Sequence, residues 1–433
     1  MLDERLETQW VADVELGGKC LVPDELAERH QVPGAQLMLD ELIERHQVPG
    51  AQLVVRRGGE TAVSVAGVTR LGSGGPVTAA SAFALGSITK PITARLVMAL
   101  VEDGELDLDA SLAEHLGPAH RNRTVRQLLS HTAGLPATLR EEHEGLTRAR
   151  WAARFDEEVF PPGGQFSYSN AGFVLAGHLV ELITGMSWLD AVHAIVLEPL
   201  RISTGEPAAG HSVQSGRTVV LDAQPGPAIE SPAGGLALSA SDLVALLDTD
   251  TERMCEDQVA GLAVGPFGLA DGWGLGWARY GTWWGHDGTG DGTSAHVRFD
   301  PATGDAVVLT ANASTGPLLW KEVLERLKDE GIVVGDHPFA SLPGAGEPVP
   351  PPAGATGRYV NGGLVLDVTA TSGGGLALAL GGRPYAGLTC FSGHRFVASE
   401  LTSARMAYTG RFVAGPDDGI THVQISGRLS RKL

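Results

Sequence analysis

The chain of 433 residues is short of lysine, tyrosine and cysteine, and each shortage narrows what it can do. Only five lysines occur, at 19, 90, 321, 328 and 432, and no basic cluster surrounds them. With Lys+Arg 32 against Asp+Glu 51 the formal charge is −19, which argues against nucleic acid or an anionic membrane as the main partner. The cysteines, Cys20, Cys255 and Cys390, are odd in number and far apart, without Cys-x-x-Cys or histidine at zinc spacing, so a reduced compartment fits and no metal is expected. No apolar run approaches membrane length. The opening Met1-Leu2-Asp3-Glu4-Arg5-Leu6-Glu7 is acidic and has no apolar export core, so a cytoplasmic location is expected. What remains is an ordinary globular composition, 43% hydrophobic and 19% charged, long enough for two domains of unequal size.

Residues 24–37 recur at 40–53 with Ala27 replaced by Ile43 as the only change. The second copy runs into an apolar strand, a Gly-Gly turn and an alternating strand, and takes the structural slot. The first copy, within a segment 1–39, reads as a spare helix, a disordered arm or an exchanged segment. A main domain is expected over 40–342 and a Pro/Gly linker over 343–354. Beyond it, short alternating runs with glycine turns over 355–433 read as a small antiparallel barrel or sandwich with no obvious catalytic set. Residues 201–238, rich in Gly, Pro, Ser and Ala, read as a lid over a site. A final helix, Leu318 to Leu327, closes the main domain.

The chemistry centres on Phe83 to Ala94, where a small-residue turn leads into an apolar helix. Ser87 and Lys90 stand one turn apart on one face of it. A lysine desolvated at a core edge is neutral enough to take a serine proton, and a serine at a helix start has a free backbone N–H for an oxyanion. Tyr168-Ser169-Asn170 comes after a Pro-Gly turn and presents a phenol that can relay a proton, with an amide that can hold the lysine and a substrate carbonyl. In the glycine-punctuated strands after residue 272, His286-Asp287-Gly288-Thr289 allows close approach of a ligand, and the Thr289 N–H completes an oxyanion hole. Asp287 and Gly288 are counted with the substrate-binding strand. His131 reads as a structural side chain beside a turn, since no acidic partner is near.

Ser-x-x-Lys, Tyr-x-Asn and His-x-Gly, in this order and with the last on a Gly-rich strand, resemble the serine β-lactamase and penicillin-binding-protein superfamily, near its class C β-lactamase and esterase branch. Ser130-His131-Thr132-Ala133-Gly134-Leu135-Pro136, Phe160-Pro161-Pro162-Gly163 and Ala233-Gly234-Gly235-Leu236 resemble the same family, and the likeness spans about residues 45–330. It implies an α+β fold, an antiparallel sheet built from both ends of the domain with a helical region beside it. It also implies a covalent acyl-enzyme on Ser87, with Lys90 as base, Tyr168 as relay, Asn170 as positioning group and no metal or cofactor. His286 stands where penicillin-binding proteins have lysine, which puts β-lactamase and carboxypeptidase activity in doubt. Without an export signal, an intracellular acyl donor is expected. The penicillin-binding-protein-type thioesterases meet that demand. They release and cyclise a nonribosomal peptide from the phosphopantetheine arm of a carrier, favour a D-residue at the acyl end, and carry a lipocalin-like barrel that the tail resembles. The alternatives are a D-amino-acid-specific aminopeptidase, amidase or esterase, and a non-catalytic binding protein.

Overall fold

The computed structural model describes residues 33–143, 145–154, 158–214, 216–221, 226–249, 251–262, 264, 270–337, 346–401 and 407–433. Most of the first copy of the duplicated segment and the head of the linker lie outside these residues. The five residues Pro-Gly-Ala-Gln-Leu shared by both copies take two conformations. At 33–37 they open helix α1 (Pro33–Arg45); at 49–53 they enter strand β1 (Gly50–Arg57). The residues after each copy account for the difference. Met38, Leu39, Leu42 and Ile43 repeat at helical spacing and are buried, whereas Val54-Val55 are β-branched and extend the strand.

Strand β1 turns at Gly58 and Gly59, both at positive φ, into β2 (Glu60–Gly67). The chain then leaves the sheet for a helical region that includes α2 (Thr89–Glu102), α3 (Asn170–Thr184) and α4 (Ala240–Leu247). It returns through β3 (Gly272–Trp273), β4 (Ala278–Tyr280), β5 (Trp283–Gly290), β6 (Thr293–Phe299) and β7 (Ala306–Ala311), then α5 (Gly316–Asp329). The seven strands run antiparallel in the order β2-β1-β7-β6-β5-β4-β3, so the sheet joins both ends of the domain as expected.

Strands β6 and β7 are buried throughout because both faces are covered. Alternation sorts the side chains. Leu53, Val55, Val307 and Leu309 pack against α1 and α5, while Val54, Val297 and Val308 join the core of the helical region. Helix α4 starts on a capping box, Ser239 with Asp242, and α3 ends on Gly185 at φ 68. No single helix among the described residues is long and apolar enough to cross a membrane.

Residues 201–238 do not form a lid. His211–Gln214 and Arg217–Val220 make a hairpin tied to the sheet end, with the His211 N–H on the Gly292 carbonyl and the Ser314 N–H on the His211 carbonyl. Among the segment's described residues, Ala233 to Leu238 meet the nucleophile turn and form its floor. Composition marked the segment as irregular but carried no information on where it packs.

The tail is a closed eight-stranded antiparallel barrel: β8 (Gly357–Asn361), β9 (Leu364–Ala370), β10 (Leu376–Leu380), β11 (Arg383–Phe391), β12 (Arg395–Glu400), β13 (Ala407–Ala414), β14 (Ile420–Ile425) and β15 (Arg428–Lys432). Tyr359, Leu366, Leu378, Leu388, Phe396 and Phe412 fill it, as expected for a small barrel. One end is held to the main domain by backbone. The Tyr168 N–H donates to the Gly427 carbonyl at 2.7 Å, and Thr138 bridges Gly362. Asn361, 1% exposed, accepts from the Ala137 N–H at 2.8 Å and donates to the Leu429 carbonyl at 2.9 Å.

Candidate active site

The nucleophile turn is set by a two-residue strand, Phe83–Ala84, pairing with Ala237–Leu238, and by the Leu85 N–H on the Leu236 carbonyl. Gly86, at φ 50, then tightens the chain into a 3-10 turn over Gly86–Ile88 that leads directly into α2. Ser87 sits in that turn. Lys90 comes one turn later, fully buried, with Nζ donating to Ser87 Oγ at 3.1 Å and to the Ala233 carbonyl at 2.7 Å. The Nζ also lies 4.9 Å from the Tyr168 ring centre and 5.8 Å from that of Phe173.

Burial, and after it the positive charge of Arg428, holds Lys90 well below the ordinary lysine range, with Glu230 opposing. A neutral Lys90 keeps one N–H on Ala233 and turns its lone pair to the Ser87 hydroxyl, the arrangement a general base needs.

Tyr168 is 4% exposed, and burial pushes its phenol up to about 12 against a hydrogen bond with Ser87. The turn that carries it is pinned on two sides. Ser169 Oγ accepts the Gly172 N–H at 3.0 Å as the cap of α3 and donates to the Pro136 carbonyl. His131 Nδ1 accepts the Ser169 N–H at 3.0 Å, and the His131 ring lies 4.3 Å from that of Tyr168. His131 therefore holds the turn, the structural part read for it. Asn170 does not hold the lysine, whose acceptors are Ser87 and Ala233; its Oδ1 is buried with no hydrogen-bond partner among the described residues.

His286 Nδ1 donates to the Asp287 carbonyl at 2.7 Å, which leaves the Nε2 lone pair facing the Tyr168 hydroxyl at 3.5 Å. Burial and then the Lys90 charge push His286 down to about 3, so it is neutral at physiological pH and cannot grip a carboxylate as a cation. The next residue faces the other way. Asp287 is bound by Arg298 at 2.9 and 3.0 Å and by His296 at 2.8 Å, and although burial alone would raise it, these partners hold it far below the carboxylate range. The expectation that Asp287 binds substrate is corrected: strand alternation turns it from the site once His286 faces in. Arg298, 1% exposed, also reaches Asp336, whose Oδ2 accepts from Trp320 Nε1 at 3.1 Å, so the network braces β5 from behind.

Gly288 and Thr289 lie directly against the nucleophile turn. A Cβ on Gly288 would run into the Leu85 carbonyl oxygen and stand 3.2 Å from the Ser87 nitrogen; one on Gly86 would stand 2.9 Å from the Thr289 nitrogen. The backbone at Gly288 and Thr289 thus lies against the turn that carries Ser87.

Arg428, from the barrel, was missed. Its guanidinium carbon lies 4.9 Å from the Tyr168 ring centre, and Nη1 donates to the Ser426 carbonyl at 2.8 Å. A lone arginine after a glycine in a late hairpin carries no motif, and no local signal could have found it. It supplies the fixed positive charge that a neutral His286 lacks. Removing it as Arg428→Met should raise the Lys90 pKa, and since the neutral amine is the active form, the acid limb of kcat/KM should move to higher pH. A profile with an unmoved acid limb would show that Arg428 does not act on the base.

Residues 35–329 match the Beta-lactamase family. The chain is 30% identical over 351 residues to Penicillin-binding protein 4 of Amycolatopsis lactamdurans, covering 71% of this chain and 88% of that one. It is similar in structure to SurE, at 37% identity and TM-score 0.79 over 92% of this chain and 98% of that one. The structure of SurE with D-Leu gives 35% and 0.76, over 95% and 99%. D-amino acid amidase of Ochrobactrum anthropi SV3 is similar at 25% identity and TM-score 0.57, over 69% of this chain and 98% of that one. With the family match spanning most of the main domain and the site built from its three motifs, this chain belongs to the Beta-lactamase family.

Proposed function

We propose that the protein is a serine acyltransferase that takes a peptidyl group from a thioester, on the phosphopantetheine arm of a carrier protein, and releases it as a macrocycle with a D-residue at the acyl end. Neutral Lys90 removes the Ser87 proton as Oγ attacks the thioester carbonyl. The oxyanion sits between the Ser87 and Thr289 N–H groups, and the thiol leaves with a proton relayed through Tyr168. The peptide amine then attacks the ester carbon, gives its proton to the same relay, and frees Ser87. Asn170 Oδ1 holds a backbone N–H of the acyl chain.

The observation that carries this reading is the likeness to SurE across both domains, joined to the D-Leu found with that protein. The barrel's Arg428 beside Tyr168 supports a two-domain function. The second reading, a D-amino-acid amidase, is favoured by the amidase likeness, which covers 69% of this chain and 98% of that one.

Intact-mass spectrometry after mixing with a D-ended peptidyl thioester should give a transient adduct on the wild type, absent from Ser87→Ala, that leaves as cyclic peptide. An L-ended control should acylate poorly. Release only as free acid would favour the amidase reading, and no adduct from any thioester, ester or D-amino-acid amide would remove the acyl-transfer proposal.

A further inference from the structure

The barrel end that delivers Arg428 also carries a second polar group, on its far side. In an antiparallel barrel alternate connections share an end, so the strand ends at Asn361, Leu380, Glu400 and Ile425 all lie at the end that meets the main domain. The first and last of these dock on it, through Gly362 and Gly427. The turn after Leu380 makes no such contact among the described residues, and Leu380 is 40% and Leu401 63% exposed. Register gives the direction of the side chains between them. Glu400 pairs with buried Ala386, Tyr408 with buried Ala398, Leu380 with buried Leu366 and Arg428 with buried Ile425, which puts all four on the inward face at this rim.

Glu400 is half-buried there. Tyr385 donates to its Oε1 at 2.7 Å, the Tyr408 phenol bonds into the same pair, and the two rings stack with centres 6.4 Å apart. Burial raises both phenols, Tyr408 to about 12, so they stay protonated as donors. No Lys, Arg or His among the described residues pairs with the carboxylate. A half-buried carboxylate between two ring systems with no cation is a recognition element for an ammonium or guanidinium, held by charge and by the ring faces.

We propose that this rim is a substrate subsite, in which Glu400, Tyr385 and Tyr408 take a cationic side chain of the peptide being transferred while Leu380 supports the adjoining backbone. The proposal rests on the acyl-transfer reading of the Ser87 site. Glu400 lies three strands round the barrel from Arg428, roughly 10–14 Å at about 4.8 Å per strand, or three to four extended residues. A cation held there is therefore several residues along the peptide from a group that meets Arg428, and we place it in the body of the peptide.

The test uses carrier-free peptidyl thioesters of one sequence, with lysine or norleucine placed two, three or four residues from the acyl carbon. On the full-length protein lysine three or four residues away should raise kcat/KM about tenfold over norleucine, through KM, and lysine at the second residue should not. Glu400→Gln should abolish that preference, bringing the lysine substrates down to the norleucine level. A wild type that acylates every thioester without regard to charge, or a Glu400→Gln that slows both series equally, would overturn the subsite while leaving the acyltransferase reading intact. Should Glu400→Gln fold poorly, inhibition of the wild type by the free lysine and norleucine peptides decides it: equal inhibition constants sink the proposal, and about tenfold tighter binding of the lysine peptide supports it.

Discussion

Lys90→Arg should lower the rate of acyl-enzyme formation by about 10³- to 10⁴-fold, at the upper end of what a general base supplies. Arginine keeps the hydrogen-bonding capacity, but it remains protonated even when buried and cannot receive the Ser87 proton. Lys90→Met removes the amine and with it the base. It should lose a similar factor while leaving the Ala233 carbonyl unpaired, at a cost of about 1–3 kcal/mol offset by no longer burying an amine. Rapid-quench intact mass on a peptidyl thioester measures the acylation rate directly, and thermal melting separates it from unfolding. Acylation by Lys90→Arg within tenfold of wild type would mean that the base is another group, with the His286 lone pair next in line.

Gly288→Ala should lower acylation by about 10²- to 10³-fold, the range for removing one oxyanion donor, although it adds a single methyl group. The added Cβ collides with the backbone carbonyl of Leu85, which cannot rotate aside, so β5 must move off the nucleophile turn and take the Thr289 N–H with it. The matched control is Gly290→Ala on the same strand, where the new Cβ would meet only Thr293 Oγ1, at 2.8 Å, the end of a side chain that can turn. Its rate should stay within a few-fold of wild type. Equal rates for the two variants would show that the approach of β5 to Ser87 is not what stabilises the oxyanion.

Much of this architecture was legible because it rests on local rules. Ile92, Leu96, Val97 and Leu100 announce α2, with Lys90 on its first turn and Ser87 in the 3-10 turn that leads into it. The alternating runs after the Pro linker give the barrel, since each inward residue lies two positions from the next. The reading of Asp287 failed where the same rule was available: two neighbours on a strand cannot both face one site. Arg428, the Ala233 carbonyl and the true packing of residues 201–238 were not legible, for a different reason. Each depends on which distant segment comes to rest against Ser87, and neither period nor composition encodes such a contact.

The backbone bond from Tyr168 to Gly427 has a consequence for the order in which the protein becomes an enzyme. Ser87, Lys90, Tyr168 and Thr289 all leave the ribosome long before Gly427 and Arg428. During that interval the Tyr168 turn lacks an acceptor for its amide, and Lys90 lacks the neighbour that helps keep it neutral. Until the final hairpin closes, burial alone works to lower the Lys90 pKa, and the contribution of Arg428 is added last.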